Sequence, residues 1–253
     1  MLVIAGPRTQ LLPGEVKEIE AYLRRGGNLL WLHDPGPLHG LARIAEALGI
    51  EFQPGALVDP ASAAITGQAD VIVVAKSGNH PVVRGFADLT VFPHAAGISV
   101  QKPQGWTSSV LLDTRNSAWS ETGPMQGEIR FDKGKDIPGP LTLGVALTRE
   151  TEAAEPGTEK NAKREQRVVV IGDGDFLANS FLENAGNLQL GMSLVNWLAR
   201  DDAYVSIPVK TARDRSLNLT RNAQIAIAGW FLILLPLALA GSGLTIWLKR
   251  RKR

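Results

Sequence analysis

Four aspartates follow apolar runs that predict strands. Asp34 comes after LLWLH and Asp113 after VLL. Asp173 and Asp175 follow the run VVVIG. Open α/β sheets bind ligands beyond the carboxyl ends of their strands, and clustered carboxylates at such an edge could hold Mg²⁺. Aspartate is also among the best helix caps and turn formers, and each of these positions leads into a turn or a helix. Capping is the favoured interpretation, so no metal ligand is assigned.

Two functions remain open for these turns. A metal-dependent hydrolase or transferase requires the carboxylates of Asp34, Asp173 and Asp175 to converge within roughly 2–2.6 Å of one ion. A binding surface for a ligand or a partner protein has no such requirement, and it is the leading hypothesis. Its candidate residues are Asp34, Gly172, Asp173, Gly174, Asp175 and Asn179.

The glycine-rich run GDGDF at residues 172–176 does not match a nucleotide-binding motif. A phosphate-binding loop needs G-x-x-x-x-G-K-[ST], and no lysine follows Gly174 at that spacing. The dinucleotide pattern G-x-G-x-x-G fails as well, because position 177 is leucine. We therefore expect this chain to hydrolyse no nucleotide itself.

No other motif predicts catalysis. The chain has no cysteine, which excludes disulfides, thiolate nucleophiles and cysteine-ligated zinc. Its histidines form no H-E-x-x-H pair, and no G-x-S-x-G turn is present. His33 beside Asp34 is read as a structural polar pair. We assign no catalytic residue and no cofactor, and we predict that the protein is not an enzyme.

Strands and helices alternate through the first fifty residues. Leu2–Ala5 predicts a strand, 13–25 a helix, Asn28–His33 a strand, and a second helix carries Leu38, Leu41, Ile44 and Leu48. This alternation predicts an α/β fold with a mostly parallel sheet flanked by helices. Further strands are predicted at 71–75, 89–92, 97–101, 109–112, 141–148 and 167–171, and a helix at 187–200.

The charged run from Glu150 to Gln166 contains no large apolar residue, so it predicts a solvated loop between two strands. Residues 203–209 are predicted to be extended.

The C-terminal segment predicts a membrane anchor. Ile225–Leu248 is twenty-four residues long and carries no charge. As a helix it would cover roughly 36 Å, enough for a hydrocarbon core of about 30 Å. Trp230 and Trp247 lie near its two ends, where an indole reaches the membrane interface, and Pro236 is expected to kink it.

Basic residues follow the anchor at once, namely Lys249, Arg250, Arg251, Lys252 and Arg253. Lysine and arginine are retained on the cytoplasmic side of a spanning helix, so the C-terminus is predicted to be cytoplasmic. The predicted domains are an extracytoplasmic α/β domain over 1–209, a linker over 210–222, a transmembrane helix over 223–248 and a basic tail over 249–253.

Charge excludes a nucleic-acid partner. Residues 1–209 hold 18 basic and 24 acidic side chains, a net charge of −6 that a phosphate backbone would repel. The first ten residues lack the basic and apolar regions of a signal peptide. Because a body placed ahead of its anchor usually needs an export signal, we expect further sequence before Met1.

Four stretches of the chain are distinctive together, namely YLRRGGNLLWLHDP, RVVVIGDGDFLANSFL, GNLQLGMSLVNWLARDD and the C-terminal LLPLALAGSGLTIWLKRRKR. With these stretches the chain resembles the auxiliary component of the ABC-type transport systems first associated with bacterial gliding motility. The resemblance implies a fold similar to class I glutamine amidotransferases, set between two membrane helices in a bacterial inner membrane, with the main domain in the periplasm. It also implies two partners, an ABC permease and a separate ATPase subunit. A purely structural envelope tether is a further alternative, and it would differ from such an accessory subunit only in its partners. The resemblance carries no catalytic residue onto this chain, and the amidotransferase cysteine is missing.

Overall fold

The structure of the chain is a computed structural model, which describes residues 1–75, 79–84, 89–101, 105–125, 127, 129–152, 163–200 and 221–251. Two compact units divide it, Met1–Val209 and Lys210–Arg253. The helices of the first unit are α1 (Pro13–Arg24), α2 (Ala42–Leu48), α3 (Pro60–Thr66), α4 (Pro81–Arg84) and α5 (Asn187–Ala199). Its strands are β1 (Leu2–Ala5), β2 (Leu29–Leu32), β3 (Ile50–Phe52), β4 (Ala56–Val58), β5 (Val71–Val74), β6 (Thr90–Pro93), β7 (Ile98–Val100), β8 (Thr107–Asp113), β9 (Trp119–Glu121), β10 (Ile137–Pro138), β11 (Thr142–Glu152) and β12 (Lys163–Ile171).

The main sheet is parallel on one side and antiparallel on the other. In the described part of the chain its strands follow the order β1-β2-β12-β11-β7-β3, and β8 also pairs with β11. β1 and β12 both run parallel to β2. The pairings of β11 with β12, β7 and β8, and of β3 with β7, are antiparallel. The predicted α/β sheet is present, and the predicted parallel character is limited to β1, β2 and β12.

Both faces of this sheet are covered, because successive side chains of a strand point to opposite faces. Leu30 and Leu32 belong to one hydrophobic cluster, together with side chains of α4, α5, β5 and β6. Leu29 and Trp31 belong to a second cluster, together with side chains of α1 and α2. Strands buried on both faces read as continuous apolar runs, which is why LLWL and VVVI are unbroken.

Several predicted elements differ in partner or length. The strand predicted at 71–75 is β5, and it pairs with β6 in a separate antiparallel sheet. A third sheet in the described chain has the order β10-β9-β4. The second helix begins at Ala42, so Leu38 and Leu41 precede it, although both still pack in the cluster with α1 and α2.

The prediction of a loop over residues 150–166 is wrong at both ends. β11 continues to Glu152 and β12 begins at Lys163, with Glu150 opposite Glu165. Gln166 is fully buried, and its amide donates to the carbonyls of Leu23 (2.9 Å) and Gly27 (2.6 Å). These long-range bonds compensate the burial of a polar strand end. Residues 153–162, the extended segment at 203–209 and linker residues 210–220 lie outside the described residues.

The second unit is a helix with one change of geometry. It runs as an α-helix over Arg221–Gly229, as a π-helix over Trp230–Leu234 and again as an α-helix over Leu235–Arg251. Leu235 N donates to the Trp230 carbonyl, and Pro236, which has no N–H, follows directly. The wider turn before Pro236 is the local adjustment that a proline inside a helix requires.

Ile227–Arg251 is a 25-residue helix long and apolar enough to cross a membrane, and it is the one such helix among the described residues. Trp230 and Trp247 lie near the two ends of this helix. The guanidinium of Arg251 lies 5.3 Å from the ring centroid of Trp247. Tryptophan and arginine side chains are both favoured where a spanning helix meets the membrane–water interface, and a cation over an indole ring is an attractive contact.

Asn187, the first residue of α5, joins three parts of the first unit. It is fully buried, and its side-chain amide donates to the carbonyls of Val91 (2.8 Å), Phe176 (3.1 Å) and Phe181 (3.0 Å). Its Oδ1 accepts from Val91 N at 2.9 Å. The side chain therefore extends the edge of β6 and fixes the turn that follows β12.

We predict that Asn187→Ala lowers the free energy of unfolding by about 2–4 kcal/mol, because several buried backbone groups lose their partner. Urea unfolding of the detergent-solubilised chain, followed by near-UV circular dichroism, measures the change. Asn184→Ala is the matched control, because Asn184 is exposed. Equal effects of the two substitutions would contradict the role given to Asn187.

Candidate functional site

The parallel strands bring three loops to one edge of the sheet. Ala5, Leu32 and Ile171 are aligned neighbours at the carboxyl ends of β1, β2 and β12. The backbone pairing continues one residue further, because Gly6 N donates to Leu32 O and His33 N donates to Ile171 O, both at 3.0 Å. The loops that begin at residues 6, 33 and 172 therefore start side by side.

Asp34 and Gly174 are in direct contact across two of these loops. Gly174 N donates to Asp34 Oδ1 at 2.6 Å. A Cβ at position 174 would lie 2.7 Å from Asp34 Oδ2, which leaves no room for a side chain. Gly6, with φ +49°, approaches the same carboxylate, since its Cβ would lie 3.1 Å from Oδ2. The carboxylate of Asp34 thus organises both neighbouring loops.

Asp173 is the most deeply buried acid of the site. Its Oδ1 accepts from Asp175 N (2.7 Å) and Phe176 N (2.8 Å), which closes a tight turn after β12. Its Oδ2 is buried without a hydrogen-bond partner among the described residues. Burial raises the pKa of Asp173 to about 8, against the two backbone N–H groups that lower it, and the charges of Asp34 and Asp175 raise it further. At neutral pH the folded chain therefore carries Asp173 as the neutral acid.

Gly172 has a packing role. A Cβ at this position would overlap the carbonyl oxygen of Ala96. Gly172 N donates to Leu143 O at 2.8 Å, and Ala96 N donates to Gly172 O at 2.6 Å. The backbone of residue 172 is thereby held between two other segments, where only glycine fits.

A cleft of about 330 Å³ opens beside Asp34. It is lined by Pro7, Arg8, His33, Asp34, Pro35, Pro37 and His39. Burial lowers the pKa of His33, so its ring is neutral at neutral pH, and its Nε2 has no hydrogen-bond partner in the described chain. The guanidinium of Arg8 lies 3.8 Å from Asp175 Oδ1, with both side chains well exposed. The cleft therefore combines the long, exposed side chain of Arg8, the carboxylate of Asp34 and the buried Nε2 of His33.

Not every predicted residue joins this site. Asn179 is exposed in the following turn and does not line the cleft. Asp113 lies elsewhere, at the end of β8, where Thr142 Oγ1 donates to it at 2.8 Å. Sequence reasoning missed Arg8 and His39. The signal that could have found them is the parallel register, since a loop after β1 must lie beside the loop after β2.

The convergence that a metal-dependent enzyme requires is not found. Among the described residues, which include all three aspartates, no group of three His, Cys, Asp or Glu side chains is arranged to hold a metal ion. Asp34 accepts from Gly174, Asp173 closes its own turn and Asp175 faces Arg8. Each of the three carboxylates therefore has a contact of its own, and the first two act as turn or loop acceptors.

A family model described as "ABC-type uncharacterized transport system" matches residues 1–194, which include the main sheet and this cleft. The chain belongs to the ABC-type uncharacterized transport system family. Membership confirms the resemblance found in the sequence and supports an accessory role in a transport system. A search of curated proteins finds no match to the chain.

The fold of this family member is similar to a solved structure of the mmIFT52 N-terminal domain. The TM-score is 0.52 at 18% sequence identity, and the match covers 78% of this chain and 75% of the other. At this identity the likeness concerns the fold alone. It supports the mixed α/β architecture, while the likeness to class I glutamine amidotransferases stays a prediction.

We predict that Asp173→Asn changes how stability depends on pH. Between about pH 4 and pH 8 the folded chain holds a proton at Asp173 that the unfolded chain has released. The free energy of unfolding therefore falls as pH rises through this window, by up to about 1.4 kcal/mol per pH unit. Asparagine keeps the Oδ1 acceptor and does not titrate, so the variant gains stability relative to wild type as pH rises.

Urea unfolding of both proteins at several pH values across the window measures this difference. Glu18→Gln is the control, because Glu18 is an exposed carboxylate of α1, outside the turn that holds Asp173. Parallel pH profiles for wild type and Asp173→Asn would show that Asp173 is ionised in the folded chain.

Proposed function

We propose that this chain is a membrane-anchored, non-catalytic accessory subunit of an ABC-type transporter. Its α/β domain, residues 1–209, lies in the periplasm and binds a ligand or another envelope protein. Residues 210–222 link it to a transmembrane helix over 223–248, and the basic tail over 249–253 is cytoplasmic. The partners are an ABC permease and a separate ATPase subunit. The single observation that carries the proposal is the family match over residues 1–194.

The nucleotide chemistry is assigned to a separate subunit because of what the loop after β12 does. Its glycines serve close packing, Gly172 against Ala96 and Gly174 against Asp34. The backbone N–H groups of Asp175 and Phe176 donate to Oδ1 of the buried Asp173. They are therefore not available to a phosphate, which needs such donors in a binding loop. Such a loop is a poor phosphate cradle, so transport energy has to come from a partner.

The helix over Ile227–Arg251 supports the anchor. The last turn of the helix contains Lys249, Arg250 and Arg251. Cations at this end interact favourably with the helix dipole, and they are retained on the cytoplasmic side of a membrane. The opposite end then leads to the periplasmic domain. A gliding-motility system and a bacterial inner membrane are part of this proposal through the family resemblance.

The binding surface is assigned to the edge formed by the loops after β1, β2 and β12. Loops at the carboxyl ends of parallel strands are held by a rigid sheet while their side chains stay accessible. Arg8, Asp34 and Asp175 supply charged contacts of both signs, which suits a protein partner or a polar ligand. Asn179, exposed in the turn that follows, would contact only a partner that extends beyond the cleft.

Purification through a tag on this chain tests the assembly. We expect the permease and the ATPase subunit to be recovered with it from detergent-solubilised membranes. Asp175→Arg should reduce their recovery about tenfold, because it reverses the charge of the proposed surface beside Arg8. Glu18→Arg, the same charge change on the exposed face of α1, is the matched control. Recovery of the chain alone would contradict the proposed function.

Cysteine labelling tests the topology, because the chain has no cysteine of its own. Ser180→Cys, at an exposed position of the first unit, should react with a membrane-impermeant maleimide in intact spheroplasts. Arg253→Cys should react only after lysis, since the tail is on the cytoplasmic side. The reverse pattern would mean that the domain is cytoplasmic, and the periplasmic role would fail.

A further inference from the structure

A second pocket lies on the sheet face covered by α1 and α2, and it shares no lining residue with the cleft beside Asp34. Its volume is about 390 Å³, within the range of small-molecule sites. Leu23, Ile44, Leu48 and Trp106 supply apolar walls. We call it the α1–α2 pocket.

Arg149 places a cation in this apolar pocket. Its guanidinium lies 4.4 Å from the ring centroid of Trp106, and it donates to Gln166 Oε1 (2.6 Å) and Leu23 O (3.1 Å). In the described part of the chain no carboxylate lies within ion-pair distance of it. Burial lowers the pKa of Arg149, which is the direction expected for a desolvated cation that lacks a counter-charge. Its partners are all neutral, so an anion would complete the site.

Trp106 forms a wall of the same pocket and carries an unsatisfied buried donor. The residue is 8% exposed, and its Nε1 has no hydrogen-bond partner among the described residues. A buried donor without an acceptor lowers the stability of the fold. Buried indole N–H groups in proteins usually have such a partner.

The charges around the pocket favour anions. Arg24, Arg43 and Arg149 line it against two acids, Glu20 and Glu46, which gives a local net charge of +1. The surrounding 209 residues have a net charge of −6. A small positive region on an acidic body concentrates anions locally and disfavours cationic ligands.

We propose that the α1–α2 pocket binds a small organic anion with an apolar body, of the class of aromatic carboxylates. The carboxylate pairs with Arg149, where the planar guanidinium suits two parallel hydrogen bonds, and the ring packs against Leu23, Ile44, Leu48 and Trp106. The proposal is independent of the transporter role, because it rests on residues of the first unit alone. It adds a ligand site that shares no lining residue with the cleft beside Asp34.

Calorimetric titration of the full chain in nanodiscs with 2-naphthoate tests the proposal, and empty nanodiscs give the reference. We expect saturable binding to one site, and at least tenfold weaker binding of the neutral 2-naphthylmethanol. Arg149→Gln should weaken naphthoate binding about tenfold, so that the affinities for naphthoate and for the neutral alcohol become similar. Arg149→Lys should retain part of the preference for the anion.

A pocket-filling variant keeps the test decisive if changes at Arg149 destabilise the chain. Ala47 lines the pocket from the exposed side of α2, so Ala47→Phe should abolish binding without removing any hydrogen bond. Ala64→Phe, an exposed position on α3, is the matched control and should leave binding unchanged. Absence of saturable naphthoate binding, equal affinity for the neutral alcohol, or binding that survives Ala47→Phe would overturn the proposal.

Discussion

The parallel pairing of β1, β2 and β12 is the constraint on which the rest of the first unit depends. Register places Ala5, Leu32 and Ile171 side by side, so the loops that follow must begin at one edge of the sheet. The hydrogen bond from Gly174 N to Asp34 then links two of these loops. Because β2 lies between β1 and β12, burial of its LLWL run on both faces fixes this arrangement.

Buried polar side chains secure the sheet to its helices. Gln166 of β12 donates to the carbonyls of Leu23 and Gly27, which end α1 and begin the turn to β2. Asn28 donates to Leu198 O of α5 at 2.6 Å and accepts from Arg167 N at 2.9 Å. Both are directional contacts between parts of the chain distant in sequence, and they define positions that apolar packing alone leaves free.

The two sites that we propose lie in two different environments of this sheet. At the carboxyl edge the groups are polar and closely spaced, as suits recognition of a protein partner or a polar ligand. Under α1 and α2 the apolar walls surround Arg149, a cation stacked on Trp106. A cation in this pocket attracts an anion more strongly than an exposed cation at the edge does, because the effective dielectric around it is lower.

Local chemistry alone determined the strands and helices at 2–48, the helix at 187–199, the apolar C-terminal helix and the failure of GDGDF to match a phosphate loop. Each depends on residues a few positions apart, so periodicity and turn chemistry are sufficient. Only the tertiary structure decided that β11 pairs antiparallel with β12, that Gln166 is buried and that burial raises the pKa of Asp173. Strand partners and desolvation are set by contacts between separate elements, such as β11 with β12, or Gln166 with Leu23, which is 143 positions away. No local pattern encodes such contacts.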